Sequence, residues 1–203
     1  MDCSKVGQLI YKLRKEKGMT QKQLADLLNI SDKTVSKWER GMGCPDVTLL
    51  GMLSGILGVE IEKILAGELN PNDKDNGNMK RIKFYECTSC GNVMTSSGEA
   101  SLSCCGRILE PLQAQQADSK HQVTVETDGE EYFITLEHEM LKEHYISFAA
   151  LVTADRVLLI KLYPEQYAQF TMPKLRHSSA LYVYCTKHGL FKYEPLHTLA
   201  VEL

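Results

Sequence analysis

The 203-residue sequence predicts a multidomain α + β chain, with an all-α bundle first, a small cysteine knuckle next and a β-sandwich last. Three observations predict it. Apolar residues up to about position 68 recur at helical spacing. Cys87, Cys90, Cys104 and Cys105 then fall in two close pairs. From His121 onward the pattern changes to the two-residue period of strands.

The first segment, residues 1–69, carries three apolar stripes: Leu9, Ile10 and Leu13; Leu24, Leu27 and Leu28; and Leu49, Leu50, Leu53, Ile56 and Leu57. Thr20 is placed to cap a helix over 21–28, and Ser31 a second over 32–39. Only Asn29 and Ile30 separate them, the tight connection of a helix-turn-helix. Ala25 is small where the two helices must approach, and Ile30, Val35 and Trp38 are spaced to bury the second. Net charge over the chain is −3 and points to no partner, but its distribution does. Nine Lys/Arg stand between Lys5 and Arg40 against four acids, a local excess of five that suits a phosphate-facing surface. Taken alone, those charges would read as a solvated helix face.

Residues 70–79 hold turn formers ("NPNDKDNGN") and read as a linker long enough to let the first domain reorient. The knuckle, 80–113, contains Cys-x-x-Cys-Gly and, after thirteen residues, Cys-Cys-Gly. Four thiolates in two pairs suit a tetrahedral zinc or iron site. A polar stretch, "QAQQADS", leads into the last domain, 119–203. There "HQVTVET", "EYFITLE", "YISFAALVT", "RVLLIKLY" and "ALYVYC" read as strands, with a turn at Asp128-Gly129. Five short strands in this span predict an immunoglobulin-like β-sandwich.

No apolar run approaches the ~18–20 residues of a membrane span, and the start of the chain has no signal-peptide core. The expected location is cytoplasmic. The seven cysteines are then expected to be thiols or metal ligands rather than disulfides, with Cys3 and Cys44 incidental small residues.

The stretch "TQKQLA…ISDKTVSKWERG" resembles the phage-repressor (Xre-type) helix-turn-helix family, over roughly residues 4–67. The resemblance implies binding to double-stranded DNA. It places Gln21 against phosphate and Asp32, Lys33 and Lys37 at base edges, flanked by Thr34, Ser36 and Arg40. A lysine can donate to guanine O6 and N7 in the major groove. Asp32 either accepts from cytosine or complements its helix N-terminus.

The knuckle resembles that of desulforedoxin, with Tyr85 before the first pair and Gly106 after the second. That family holds one iron in a rubredoxin-like site; zinc is the alternative occupant here. Finally, "KHQVTV", "LEHEM", "KEHYISF" and "YCTKHGLF" resemble the superoxide reductase domain of desulfoferrodoxin and neelaredoxin across almost all of 119–194. The resemblance implies a mononuclear iron bound by His121, His138, His144, His188 and Cys185. His177 and His197 match no ligand position. Lys120 matches the lysine that attracts superoxide and organises a protonating water. Two departures stand out: Ser119 replaces a glutamate ligand, and Phe148 and Phe191 replace tryptophans, which should alter packing near the iron.

These resemblances imply an iron-dependent superoxide reductase, making hydrogen peroxide, fused to a DNA-binding domain as a redox-linked transcriptional regulator. An electron-donor protein such as rubredoxin would serve it. A homodimer would read two half-sites ~34 Å apart. The alternative is a transcription factor that senses superoxide, peroxide or iron without turnover. Purely structural zinc at both sites has no use for four histidines and a thiolate.

Overall fold

Four of the five helices of the first unit begin where a short polar side chain takes up otherwise unpaired backbone N–H groups. The structure, a computed structural model, describes residues 1–72, 74, 77–175, 179–194 and 200–202. His177, His197 and part of the expected linker (Asp73, Asp75, Asn76) lie outside the described residues. Two compact units divide the chain, 1–71 and 72–203.

In the first unit, Asp2 caps α1 (Cys3–Glu16), accepting from Ser4 N and Lys5 N. Thr20 caps α2 (Gln21–Leu27) through a reciprocal box with Gln23, and Ser31 caps α3 (Asp32–Glu39). Asn29 turns the chain between α2 and α3 with φ 54. Asp46 caps α4 (Val47–Leu57), and α5 (Ile61–Ala66) follows. The core combines Val6, Ile10, Leu24, Val35, Trp38, Leu53 and Ile64, so the apolar stripes face one another. Leu27 is the exception in its stripe: Leu28 is buried, whereas Leu27 is 50% exposed.

Two observations fix α3 against α1. Arg14 and Glu39, counted above among the surface charges, form a buried bidentate pair: Nε to Oε1 at 2.6 Å and Nη2 to Oε2 at 2.9 Å. Arg14 also donates to Met19 O. One cation and one anion thus leave the surface, and the local excess of positive charge is unchanged. Second, α1 has no room at Gly7 for a side chain, because an added Cβ would fall 1.8 Å from Trp38 O. Gly7→Ala must push α1 off α3. It is expected to cost about 3 kcal/mol, the upper part of the overpacking range. Thermal unfolding of the whole chain, followed by Trp38 fluorescence, measures it; Trp38 is the chain's one tryptophan.

One expectation fails here. Cys3 and Cys44 are not reduced, incidental residues but are bonded as a disulfide, with Cα atoms 4.9 Å apart. Packing of α1 along α3 brings the start of α1 beside the α3–α4 connection. The close approach continues at Gly41, whose Cβ would lie 3.1 Å from Ser4 Cα.

The second unit opens with a 3₁₀ turn (Met79–Arg81) and two hairpins. They are β1 (Lys83–Glu86) with β2 (Val93–Ser96), and β3 (Leu102–Cys104) with β4 (Arg107–Leu109). Then come β5 (Ala114–Gln116), β6 (Val123–Asp128), β7 (Glu131–Leu136), β8 (Ile146–Val152) and β9 (Val157–Lys161). β10 (Gln169–Pro173), β11 (Ala180–Cys185), β12 (Gly189–Tyr193) and β13 (Ala200–Glu202) complete it. Two sheets, in the orders β10-β7-β6-β13 and β5-β12-β11-β8-β9, pack face to face. Val125, Ile134 and Leu136 of one meet Ile146, Leu151, Leu181 and Val183 of the other. The polar stretch "QAQQADS" is not a plain connector: Ala114–Gln116 pairs in parallel with β12. The hairpin turn falls on Gly129 and Glu130, since Asp128 pairs with Glu131.

β8 and β11 are buried at every position. Their inner side chains fill the sandwich, and the outer ones, Phe148, Ala150, Tyr182 and Tyr184, are covered by Phe84 of β1. A strand covered on both faces reads as a continuous apolar run rather than an alternation. Beside this contact Lys161 Nζ donates to Ser147 Oγ (2.9 Å) and Gly91 O (3.0 Å), while Ser147 donates to Glu86. The knuckle is therefore anchored to the sheet by both apolar and polar contacts. No helix among the described residues is long and apolar enough to cross a membrane.

Candidate metal centres and recognition helix

Three turns and one hairpin carry the histidine-rich site. His121 sits in the turn before β6, where its N–H donates to Asp118 O. His138 follows β7, and His144 precedes β8 in a bridge with Leu141. Cys185 and His188 belong to the β11–β12 hairpin, closed by Gly189 at φ 91, a conformation glycine adopts without penalty.

The four imidazoles form a closed circuit. Ring centroids lie 5.3 Å apart for His121–His138, 4.7 Å for His138–His144, 4.8 Å for His144–His188 and 4.9 Å for His188–His121. His188 Nδ1 is 3.2 Å from His121 Nε2 and 3.3 Å from His144 Nε2. Cys185 Sγ lies 3.4 Å from both His138 Nε2 and His188 Nδ1. Donor atoms of His121, His138, Cys185 and His188 all lie within 4.8 Å of one another; His144 stands just outside that tight set.

Outer contacts orient these rings. A carboxylate accepts only, so the 2.6 Å contact of His121 Nδ1 with Asp118 Oδ1 puts the proton on Nδ1 and leaves the Nε2 lone pair facing the circuit. His121 hydrogen-bonding holds the Asp118 carboxyl below its usual range. Phe191 stacks on His121 at 4.1 Å, and Tyr193 Oη donates to His121 O. Gln115 Nε2 donates to His188 O at 2.6 Å. Desolvation, then the neighbouring imidazoles, lower the pKa of His138 and of His188, so both favour the neutral form a metal needs. Imidazole lone pairs and a thiol converging on one centre suit a transition-metal cation.

An open cavity of about 410 Å³ leads to this circuit, lined by Lys120, Lys187, Glu137 and Glu139 beside the histidines. Of these, the sequence reading names Lys120 but misses Lys187; it also misses Asp118 and Gln115. The signal for Asp118 was present, a carboxylate three residues before a histidine in a turn. Ser119 is exposed in that turn. Phe191 does pack at the site, whereas Phe148 packs against Phe84 and Tyr184 on the sheet's other face.

The four cysteines of the knuckle also converge, with every sulfur within 4.8 Å of the others. Cys87 directly follows β1, and Cys90 lies in a turn that Gly91 closes with φ 67. Cys104 ends β3; Cys105, at φ 52, turns its thiol back toward them. The Ser89 N–H is the main cause that pulls the Cys87 thiol down to about 7. Its neighbours, Cys90 foremost, push the Cys105 thiol up to about 12. Four sulfurs this close share their ionisation poorly unless a cation sits among them, as a tetrahedral metal site provides.

On α3, Lys33 and Lys37 are exposed. Asp32 Oδ1 accepts from Lys33 N, Thr34 Oγ1 lies 2.8 Å from Ser31 Oγ, and Arg40 Nε donates to the carbonyl of Ser36. Gln21, at the start of α2, donates to Glu39 Oε2 at 2.7 Å, so its amide is tied to the buried ion pair.

Comparison with known proteins agrees with this division. Residues 10–64 match the helix-turn-helix family model, so the first unit is a helix-turn-helix domain. An HTH-type transcriptional activator, BcrR of Enterococcus faecalis, is 35% identical over 82 residues, 39% of this chain. The chain spans only 40% of that activator's length. Desulfoferrodoxin of Desulfarculus baarsii is 25% identical over 123 residues, 57% of this chain and 98% of its own. Superoxide reductase from Treponema pallidum aligns with 56% of this chain and 98% of its own, at 23% identity and TM-score 0.47. The chain thus joins a helix-turn-helix domain to a segment similar to desulfoferrodoxin.

Proposed function

We propose that the chain is an iron-dependent superoxide reductase coupled to a DNA-binding domain, a redox-linked transcriptional regulator of the cytoplasm. The observation that carries the reading is the closed circuit of four imidazoles with the Cys185 sulfur against two of them. His121, His138 and His144 would bind through Nε2, His188 through Nδ1 and Cys185 through Sγ. The iron, when bound, supplies one electron to superoxide, which with two protons becomes hydrogen peroxide.

The remaining work falls to the chain's own residues. Lys120 and Lys187 place two ammonium groups at the cavity that leads inward, beside the carboxylates of Glu137 and Glu139, so they attract a small anion at short range. Lys120 is also the group to order a water for proton delivery. Asp118 keeps the His121 proton on Nδ1. The four-cysteine site would hold a second iron as an electron reservoir, with zinc as the alternative, and a donor protein such as rubredoxin would reduce the chain. On the DNA side, Gln21 is assigned to phosphate and Asp32, Lys33 and Lys37, with Thr34, Ser36 and Arg40, to the major groove of double-stranded DNA. A homodimer would engage paired half-sites.

Cys185→Ser tests the enzyme. Iron-loaded, anaerobic wild-type protein is expected to remove superoxide in a fast second-order decay, and the variant no faster than protein-free buffer. Equal decay by the two proteins would defeat the reading.

A further inference from the structure

The Cys3–Cys44 disulfide has no part in either metal site. Its setting is unusual for a structural bond. The other five cysteines belong to the two candidate metal centres, and in the cytoplasm proposed above thiols stay reduced. A bond that forms there is one made and broken by exchange. Neither cysteine belongs to the apolar core of the first unit. Both residues are partly exposed, within reach of a small oxidant. Cys3 is the first residue of the 14-residue α1, the helix end whose dipole favours a thiolate. Cys44 lies in the connection that leaves α3, five residues past its end.

We infer that Cys3 and Cys44 form a reversible modification site, a thiol pair that hydrogen peroxide oxidises to the disulfide seen in the structure. The Cys3 thiolate attacks the peroxide O–O bond, forming a sulfenic acid and releasing one oxygen as water. The Cys44 thiolate then displaces the sulfenic oxygen as a second water and closes the S–S bond. Two thiols and one hydrogen peroxide thus give one disulfide and two waters: the sulfurs lose two electrons and the peroxide gains them. Closure ties the first turn of α1 to the segment that carries the chain out of α3. Reduction releases that segment while the Arg14–Glu39 pair and the core hold the helices. Peroxide as the natural oxidant rests on the function proposed above, because it is that reaction's product.

The experiment starts from the full-length chain reduced and freed of reductant. One equivalent of hydrogen peroxide is expected to yield a tryptic fragment that joins the Cys3 and Cys44 segments. It should also raise the unfolding midpoint seen by Trp38 fluorescence by about 8 °C or more. Cys44→Ala should show neither change. If both thiols survive peroxide, or if the oxidised and reduced chains unfold together, the inference is overturned. A separate arm supplies superoxide to the iron-loaded chain, with and without catalase. Joined fragments that catalase suppresses support both readings. Joining by added peroxide but not by superoxide leaves the modification site standing and counts against the reductase instead.

Discussion

Glu39→Ala is expected to destabilise the first unit by about 3–5 kcal/mol, because it strands a buried guanidinium. Both carboxylate oxygens of Glu39 are used: Oε1 by Arg14 Nε, and Oε2 by Arg14 Nη2 and Gln21 Nε2. The two side chains are 5% and 4% exposed, so water cannot replace the lost partner. For a domain of this size, with total stability near the low end of ~5–15 kcal/mol, such a loss leaves the fold marginal. Replacing both members with methionine should recover most of it, since apolar pairs of similar volume substitute well for buried ion pairs. Urea unfolding of the whole chain by Trp38 fluorescence measures each step. A loss under about 1 kcal/mol, the scale of an exposed pair, would mean that the contact is not buried in solution.

Asp118→Ala is expected to weaken metal binding at the histidine site by about 10–100-fold while leaving the four-cysteine site unchanged. The Asp118 carboxylate fixes the His121 proton on Nδ1. Without it the ring is free to carry the proton on Nε2, which then has no lone pair to give. Asp118→Asn keeps an accepting oxygen and should fall between wild type and alanine. Competition against a chelator at both sites of one sample provides the internal comparison. Equal affinity in all three proteins would assign the orientation of His121 to Phe191 stacking and the Tyr193 contact alone.

Local chemistry was the part of this molecule most legible in its sequence. Thr20 and Ser31 announced two helix starts through their capping oxygens, and both helices begin there. The paired cysteines lie close in the chain, and their clustering needed only two turns. What was hidden depends on contacts between distant segments. Cys3 and Cys44 are 41 positions apart, and nothing local relates them. Arg14 and Glu39 looked like surface charges because burial is a property of packing rather than of residue type. Gln115 and Lys187 reach the histidine site only because β5 pairs with β12 and because the hairpin presents its tip there. Gln169–Pro173 escaped as a strand, its short alternation closed by a proline at the sheet edge.

The double covering of the five-stranded sheet bears on how this chain must be made and handled. Without the first 112 residues, Phe148, Tyr182, Tyr184 and Leu190 would lose Phe84 and Leu112 and meet water as one continuous oily surface. Such a surface invites self-association, and the segment that carries the cysteine-bearing hairpins keeps it covered. The hairpins precede the sandwich in the chain, and a ribosome delivers them first.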